Sequence, residues 1–454
     1  MHENSRRPVP APDARSLARH HSLRPVAHHP TPARAHAPSH DTAARQSKRL
    51  AAALLAEDRL DTELSQRLDR QLILPCADET DEETSRAAVQ DYGQFLARQE
   101  RWDELATLIR EVDAERRSTD CAMSHAELLC YGARADVVRA VEDALSDGAR
   151  NPGLDGIEAL EEVLHETPSD YAIAALVALA HTDIGWAWRG GEWPHEIPDR
   201  NLKLFEAHFD RAAEILAPFH DNSAASPLIA ATRCTLLAAR PLAAQKLADE
   251  YETLIALDPL NPRPMRALGH HLLPRWHGSY AQLELEARRT ASLTSKTWGN
   301  GGYTWVFLDA LKVDPGAARI VDLDFFLDGM RDILAQHPSQ HRANLLAAYA
   351  AITMAPARTP ENAPDLLREV RAAIHATLDW VLSDYLCELH PLLWAQEMIE
   401  PAGHSFLPVR KTLIRRGRVA ARHTIARHFA NEILGGTTIA FSPHGLRFYE
   451  PERG

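Results

Sequence analysis

The sequence predicts an all-α fold of stacked antiparallel helix hairpins, as a repeat solenoid or an irregular bundle, with a small β-hairpin near the C-terminal end. Two features of composition and one of pattern predict it. The apolar fraction is 45 %, enough to fill a core. Ala and Leu dominate it, whereas the β-branched and aromatic residues that favour strands are sparse. Apolar residues recur at helical spacing through most of the chain, with short polar turns between the runs.

Residues 1–45 carry seven prolines and few large apolar residues, so the sequence predicts a tail without a packed core. Seven of the 24 histidines lie there, including His20-His21 and His28-His29; a metal-binding tract and a solvated tail are both readings of that composition. From about residue 46 the period becomes helical, and Leu50, Leu54, Leu60, Leu64 and Leu68 fall near one face. Two helix pairs follow. One spans Val89 to Val112 with a turn near Gln99 to Arg101, and the other spans His125 to Leu145 with a turn at Tyr131-Gly132. Loops this short force the helices to pack as antiparallel neighbours.

Three segments align on a proline: Leu160 to Pro168, Tyr251 to Pro259 and Met330 to Pro338. Each begins on a large apolar side chain. Each places a second apolar pair four and five residues before the proline: Val163/Leu164, Leu254/Ile255 and Ile333/Leu334. Those positions form one buried stripe, the proline stops the helix, and a new apolar helix begins shortly after. The junction, clearest at Asp258-Pro259-Leu260-Asn261-Pro262, resembles that between tetratricopeptide repeats over about residues 84–400. The resemblance implies a right-handed stack of helix pairs that presents a groove to a partner. The family's 34-residue signature is not met in any window, and the aligned prolines stand 91 and 79 residues apart.

The chain after residue 400 reads differently. Leu407 to Leu434 predicts a long helix ended by Gly435-Gly436. Thr437 to Phe441 and Leu446 to Tyr449 then flank Ser442-Pro443-His444-Gly445, which fits a type I turn between two strands. Such a hairpin is marginal alone and must pack on a helix or another strand. The expected organisation is a tail (1–45), a helical-repeat body (46–400) and a basic helix with a hairpin (401–454).

The net charge is −13. Residues 1–50 hold nine Lys/Arg and three Asp/Glu (+6), residues 401–454 hold the same numbers (+6), and so residues 51–400 carry −25. An acidic body argues against general nucleic-acid binding. Lys411, Arg415, Arg418 and Arg422 follow i, i+4, i+7, i+11 spacing and line one helix face. That face would dock an acidic partner, nucleic acid or anionic lipid, or else cap the acidic body. No apolar run reaches the ~18–20 residues of a membrane span, and five scattered cysteines form no Cys-x-x-Cys pair. The expectation is a cytoplasmic protein without disulfides, cofactor or metal.

Six of the nine tryptophans lie between residues 186 and 305. Gly185 to Pro194 ends one helix, Leu273 to Ser279 links two others, and Trp298 to Tyr303 forms a third Trp–Gly segment. These segments resemble an uncharacterised bacterial helical-repeat family with Trp-Arg-Gly and Pro-Arg-Trp-x-Gly motifs; the resemblance supports the fold and implies no activity. Arginine stacks on indole and still forks toward a carboxylate. Trp186, Trp188, Arg189, Arg275 and Trp276 are therefore candidates for a ligand pocket, with structural bracing of a helix join as the alternative.

Other constellations are weaker. His270, His271 and His277 lack a nearby carboxylate at ligand spacing and do not form His-Glu-x-x-His. Gly299-Asn300-Gly301-Gly302 lacks the preceding strand and following Lys of a phosphate loop. No nucleophile elbow or triad arrangement is recognisable. The sequence thus favours a non-catalytic interaction protein that binds a peptide or small acidic ligand in a helical groove. The alternatives are an enzyme with a site in residues 185–305, and an adaptor that uses the basic C-terminal helix.

Overall fold

The computed structural model describes residues 66–68, 70–190, 197–220, 225–237, 244–276, 278–399 and 408–451. The tail, the leucine stripe from Leu50 to Leu64, and His277 lie outside them. The fold is all-α, with nineteen α-helices and one three-stranded sheet among the described residues.

The chain enters through β1 (Leu72–Ile73). Six helices follow: α1 (Asp81–Arg98), α2 (Trp102–Ala114), α3 (His125–Ser146), α4 (Asp155–Glu166), α5 (Tyr171–Arg189) and α6 (Asp199–Leu216). Next come α7 (Pro227–Leu237), α8 (Ala244–Leu257), α9 (Pro262–His271), α10 (Tyr280–Leu293), α11 (Ser295–Trp298), α12 (Gly301–Val313), α13 (Leu323–Gln336) and α14 (Gln340–Ala348). The last group is α15 (Asp365–Ala376), α16 (Leu378–Asp384), α17 (Pro391–Met398), α18 (Arg410–His428) and α19 (Ala430–Leu434), then β2 (Thr438–Ala440) and β3 (Arg447–Tyr449).

The three proline junctions are helix–turn–helix connections, and each uses the same local device. Soon after the proline stands a polar N-cap: Asp170, Asn261 or Ser339. Its side-chain oxygen accepts a backbone N–H from the first turn of the next helix, from Ala172 (2.9 Å), Arg263 (3.2 Å) or Arg342 (3.2 Å). One otherwise orphaned donor is satisfied each time, which stabilises the helix start by about 1 kcal/mol. The apolar residue that opens each segment, Leu160, Tyr251 or Met330, is buried as the stripe requires.

Two hydrophobic cores result. The first gathers side chains from α1 to α7, including Leu96, Ile109, Ile173, Trp186, Phe205 and Phe209. The second gathers side chains from β1 and from α7 to β2, including Leu72, Leu247, Met265, Trp305, Phe326, Val381 and Ile425. α5 and α12 are apolar on nearly every side and are buried all round, one in each core. α7 serves both: Leu228, Ile229 and Leu236 enter the first core, while Ala230, Cys234 and Leu237 enter the second.

The turn expected at Tyr131-Gly132 is absent, and α3 runs through it. Gly132 serves packing instead. A Cβ there would stand 1.8 Å from the Gln90 carbonyl oxygen of α1, and a Cβ on Gly93 of α1 would stand 2.3 Å from that of Leu129 in α3. The two glycines let these helices meet backbone to backbone.

The C-terminal helix begins at Arg410 and breaks at Phe429 into α18 and α19. Gly436, at φ +93, follows. The turn at Ser442 to Gly445 closes through a Gly445 N–H to Ser442 carbonyl bond of 2.9 Å, and β2 and β3 pair antiparallel around it. β1 completes the sheet in the order β1-β2-β3, parallel to β2, with Leu72 opposite Ile439. The hairpin thus gains its third strand from the other end of the same chain. Ala421, Ile425, Phe429, Ile433 and Ile439 all enter the second core, which anchors the described part of this segment, residues 408–451, to it.

Gly132→Ala separates packing from propensity. Helix propensity alone would stabilise α3 by up to about 1 kcal/mol, whereas the clash with Gln90 should destabilise the protein by about 2 kcal/mol or more. Urea denaturation reads the sign.

Candidate functional site

The sequence-predicted site residues fall in two places. Trp186 is fully buried, edge-on to Phe205 and Phe209 at 5.0 and 5.7 Å, with the Arg189 guanidinium 5.7 Å from its ring. Trp188 is buried in the same core, with Arg200 over its face. Trp276 lies half-buried on the second core, 5.5 Å from the His270 ring. Beside it in sequence, Arg275 is half-buried, and that burial lowers its pKa. Trp186, Trp188 and Arg189 therefore sit together, while Arg275 and Trp276 pack elsewhere. Trp186 and Trp188 are core side chains in this arrangement.

His270 and His271 are both buried. Burial pushes His270 down to about 3, and the His271 Nδ1 meets the Tyr251 hydroxyl at 3.0 Å. Among the described residues no group of three metal-ligating side chains is gathered. The Gly299 to Gly302 segment starts α12, and the Asp332 carboxylate accepts the Asn300 N–H at 2.7 Å. The protein's own carboxylate thus occupies the helix start where a phosphate would bind.

On α18, Arg418 pairs with Asp78 and Arg410 with Glu83, and Arg422 donates to the carbonyls of Leu68 and Leu72. Arg418 and Arg422 therefore hold the body, as the capping reading expects. Lys411 and Arg415 remain exposed.

A cavity of about 140 Å³ opens where the two cores diverge, walled by α3, α5, α7, α8 and α9 with Gln90 of α1. Leu128, Leu179, Ala231, Leu254, Pro264 and Ala267 give it a mainly apolar lining. Among its polar lining residues, which include Gln90 and Asn261, is Arg134 of α3, which is 5 % exposed. Nε of Arg134 donates to the Asp183 carboxylate of α5 at 2.7 Å, and the guanidinium lies 5.4 Å from the Tyr131 ring centre. These contacts fix the fork but leave its terminal nitrogens without a hydrogen-bond partner among the described residues; Nη1 is also shut off from solvent. A buried unpaired donor costs on the order of 1–3 kcal/mol, more when charged.

The other charged pair at the rim is Arg263 with Glu127, at 2.7 Å. The hydroxyls are already engaged. Thr182, Thr232 and Thr235 donate to the carbonyls of Leu179, Leu228 and Thr232, and Tyr251 is bonded to His271. The Cys234 thiol is pushed well up by burial, and the nearby Glu250 carboxylate adds to this, so it stays protonated.

Sequence reasoning missed this cavity because its polar residues come from helices far apart in the chain and form no short motif. The one local signal is Tyr131 and Arg134 at i, i+3, the spacing that stacks an arginine on an aromatic ring. No family model, no curated protein and no solved structure matches the chain.

A second polar group lies on α4, α5 and α6. The Glu161 carboxylate meets His181 Nε2 at 2.9 Å and Arg211 Nε at 2.8 Å, and His181 Nδ1 meets His208 Nδ1 at 2.9 Å. Burial lowers both histidines, His208 to about 4, with the His181 charge next in effect. Above about pH 6.5 the imidazoles are neutral in folded and unfolded chains alike. As pH falls from 6.5 toward 4, the unfolded chain takes up protons that the folded one refuses, so stability is lost. His208→Gln should shrink the stability difference between pH 7 and pH 4.5 by roughly 2 kcal/mol, read by denaturant melts at both pH values. An unchanged difference would contradict the assignment.

Proposed function

We propose that the protein is a non-catalytic binding protein, and that the cavity between its two cores holds a small molecule or the end of a peptide through an oxygen acceptor. The observation that carries this reading is Arg134, a buried guanidinium fixed by Asp183 and Tyr131 with its terminal N–H groups unused. Pre-placed donors in an apolar recess suit recognition, because the ordering cost is met before the ligand arrives.

The surrounding chemistry supports binding over catalysis. The hydroxyls in the wall are committed to protein partners, and the thiol is held neutral. None of them is an activated nucleophile. The stacked helix hairpins, which resemble tetratricopeptide repeats at their proline junctions, supply a scaffold with a concave seam.

A thermal-shift screen of small polar compounds tests the reading. A ligand at about 100 times its Kd should stabilise the native state by about 2.7 kcal/mol, a rise of several degrees in Tm. The rise should vanish in Ala231→Leu, which fills the recess, and the compound should be recovered chemically unchanged. Recovery of an altered compound would point to an enzyme instead.

A further inference from the structure

Resting on that binding role, we infer that the ligand of the interhelical cavity carries a neutral carbonyl group on a compact apolar stem, and is not a carboxylate. Three observations lead to this chemistry: the charge balance of the walls, the number of open donors and the volume.

The charged side chains of the lining already cancel. Arg134 is matched by Asp183, and Arg263 by Glu127. The Arg134–Asp183 pair is deeply placed, with side chains 6 % and 15 % exposed. A carboxylate entering beside it would leave one negative charge uncompensated in a desolvated site, which is strongly unfavourable. The wider field has the same sign, since residues 51–400 carry −25. A neutral carbonyl oxygen accepts the same N–H groups and leaves the balance at zero.

The donors are few. The wall hydroxyls are spent on protein partners, and besides the Gln90 and Asn261 amides the lining offers the terminal N–H groups of Arg134, the buried charged donor. A neutral carbonyl oxygen can accept from one of these N–H groups. The rest of the ligand meets Leu128, Leu179, Leu254 and Ala267. At about 140 Å³ the recess is close to the roughly 150 Å³ that takes a benzene-sized guest. The buried part of the ligand is therefore short, and an amide, a ketone, or the carbonyl end of a longer molecule fits.

The test compares pentanamide with pentanoate, which match in stem and size and differ in charge. Isothermal titration at pH 7 on the full chain should give saturable binding of the amide at least tenfold tighter than that of the acid. Two variants locate the site. Ala267→Leu fills the recess and should abolish amide binding while the thermal melt stays cooperative. Arg134→Lys keeps a cation facing Asp183 but withdraws the fork, and should weaken the amide at least tenfold. Tighter binding of pentanoate would overturn the neutral-head inference and leave the binding role standing. If both probes fail to bind at millimolar concentration, or bind Ala267→Leu as well as wild type, the cavity reading fails too.

Discussion

The fold depends on one shared helix. The apolar residues of α7 are divided between two cores. A helix buried on opposite sides cannot leave one core without opening the other. Burial at about 25 cal/mol per Å² of apolar surface makes that coupling substantial. The cavity follows from the same arrangement: it opens where the two cores diverge, against Ala231, Thr232, Cys234 and Thr235 of α7.

The polar content of that seam is economical. A buried arginine is tolerable only with a charge partner, and Asp183 supplies one through a single nitrogen. Asp309 instead meets buried Arg266 through two nitrogens, Nε and Nη2. Arg134 is anchored through Nε alone, and its terminal nitrogens stay unbonded among the described residues. Sequence-distant segments are tied together, since β1 pairs with β2 while Arg410 and Arg418 meet Glu83 and Asp78. A cationic helix is thereby held on an acidic body, which lowers the repulsion that a charge of −25 imposes.

Much of the fold was legible in the sequence, for local reasons. Helical periodicity, proline stops and the polar residues after them are short-range signals, and the three junctions carry all of them. The hairpin at Ser442 to Gly445 was readable from turn chemistry. Residues whose role is set at long range are not legible from local pattern. Gly132 reads as a turn in isolation, yet it is a helix–helix contact because Gly93 lies opposite in space. The Trp–Arg–Gly segments advertise themselves by composition, but a tryptophan has the same signature in a core as in a pocket, and only burial distinguishes them. Arg134 and Asp183 are 49 residues apart on different helices, and neither stands in a motif. β1 pairs with a strand more than 360 positions later.

The central claim is that α7 binds the two cores into one cooperative unit and so defines the cavity. Native-state hydrogen exchange under increasing denaturant tests it most directly. The account predicts that the slowest amides of α5, α7 and α12 converge on one opening free energy and one denaturant dependence. Exchange of α5 through a separate, lower-energy opening while α7 and α12 stay protected would contradict it.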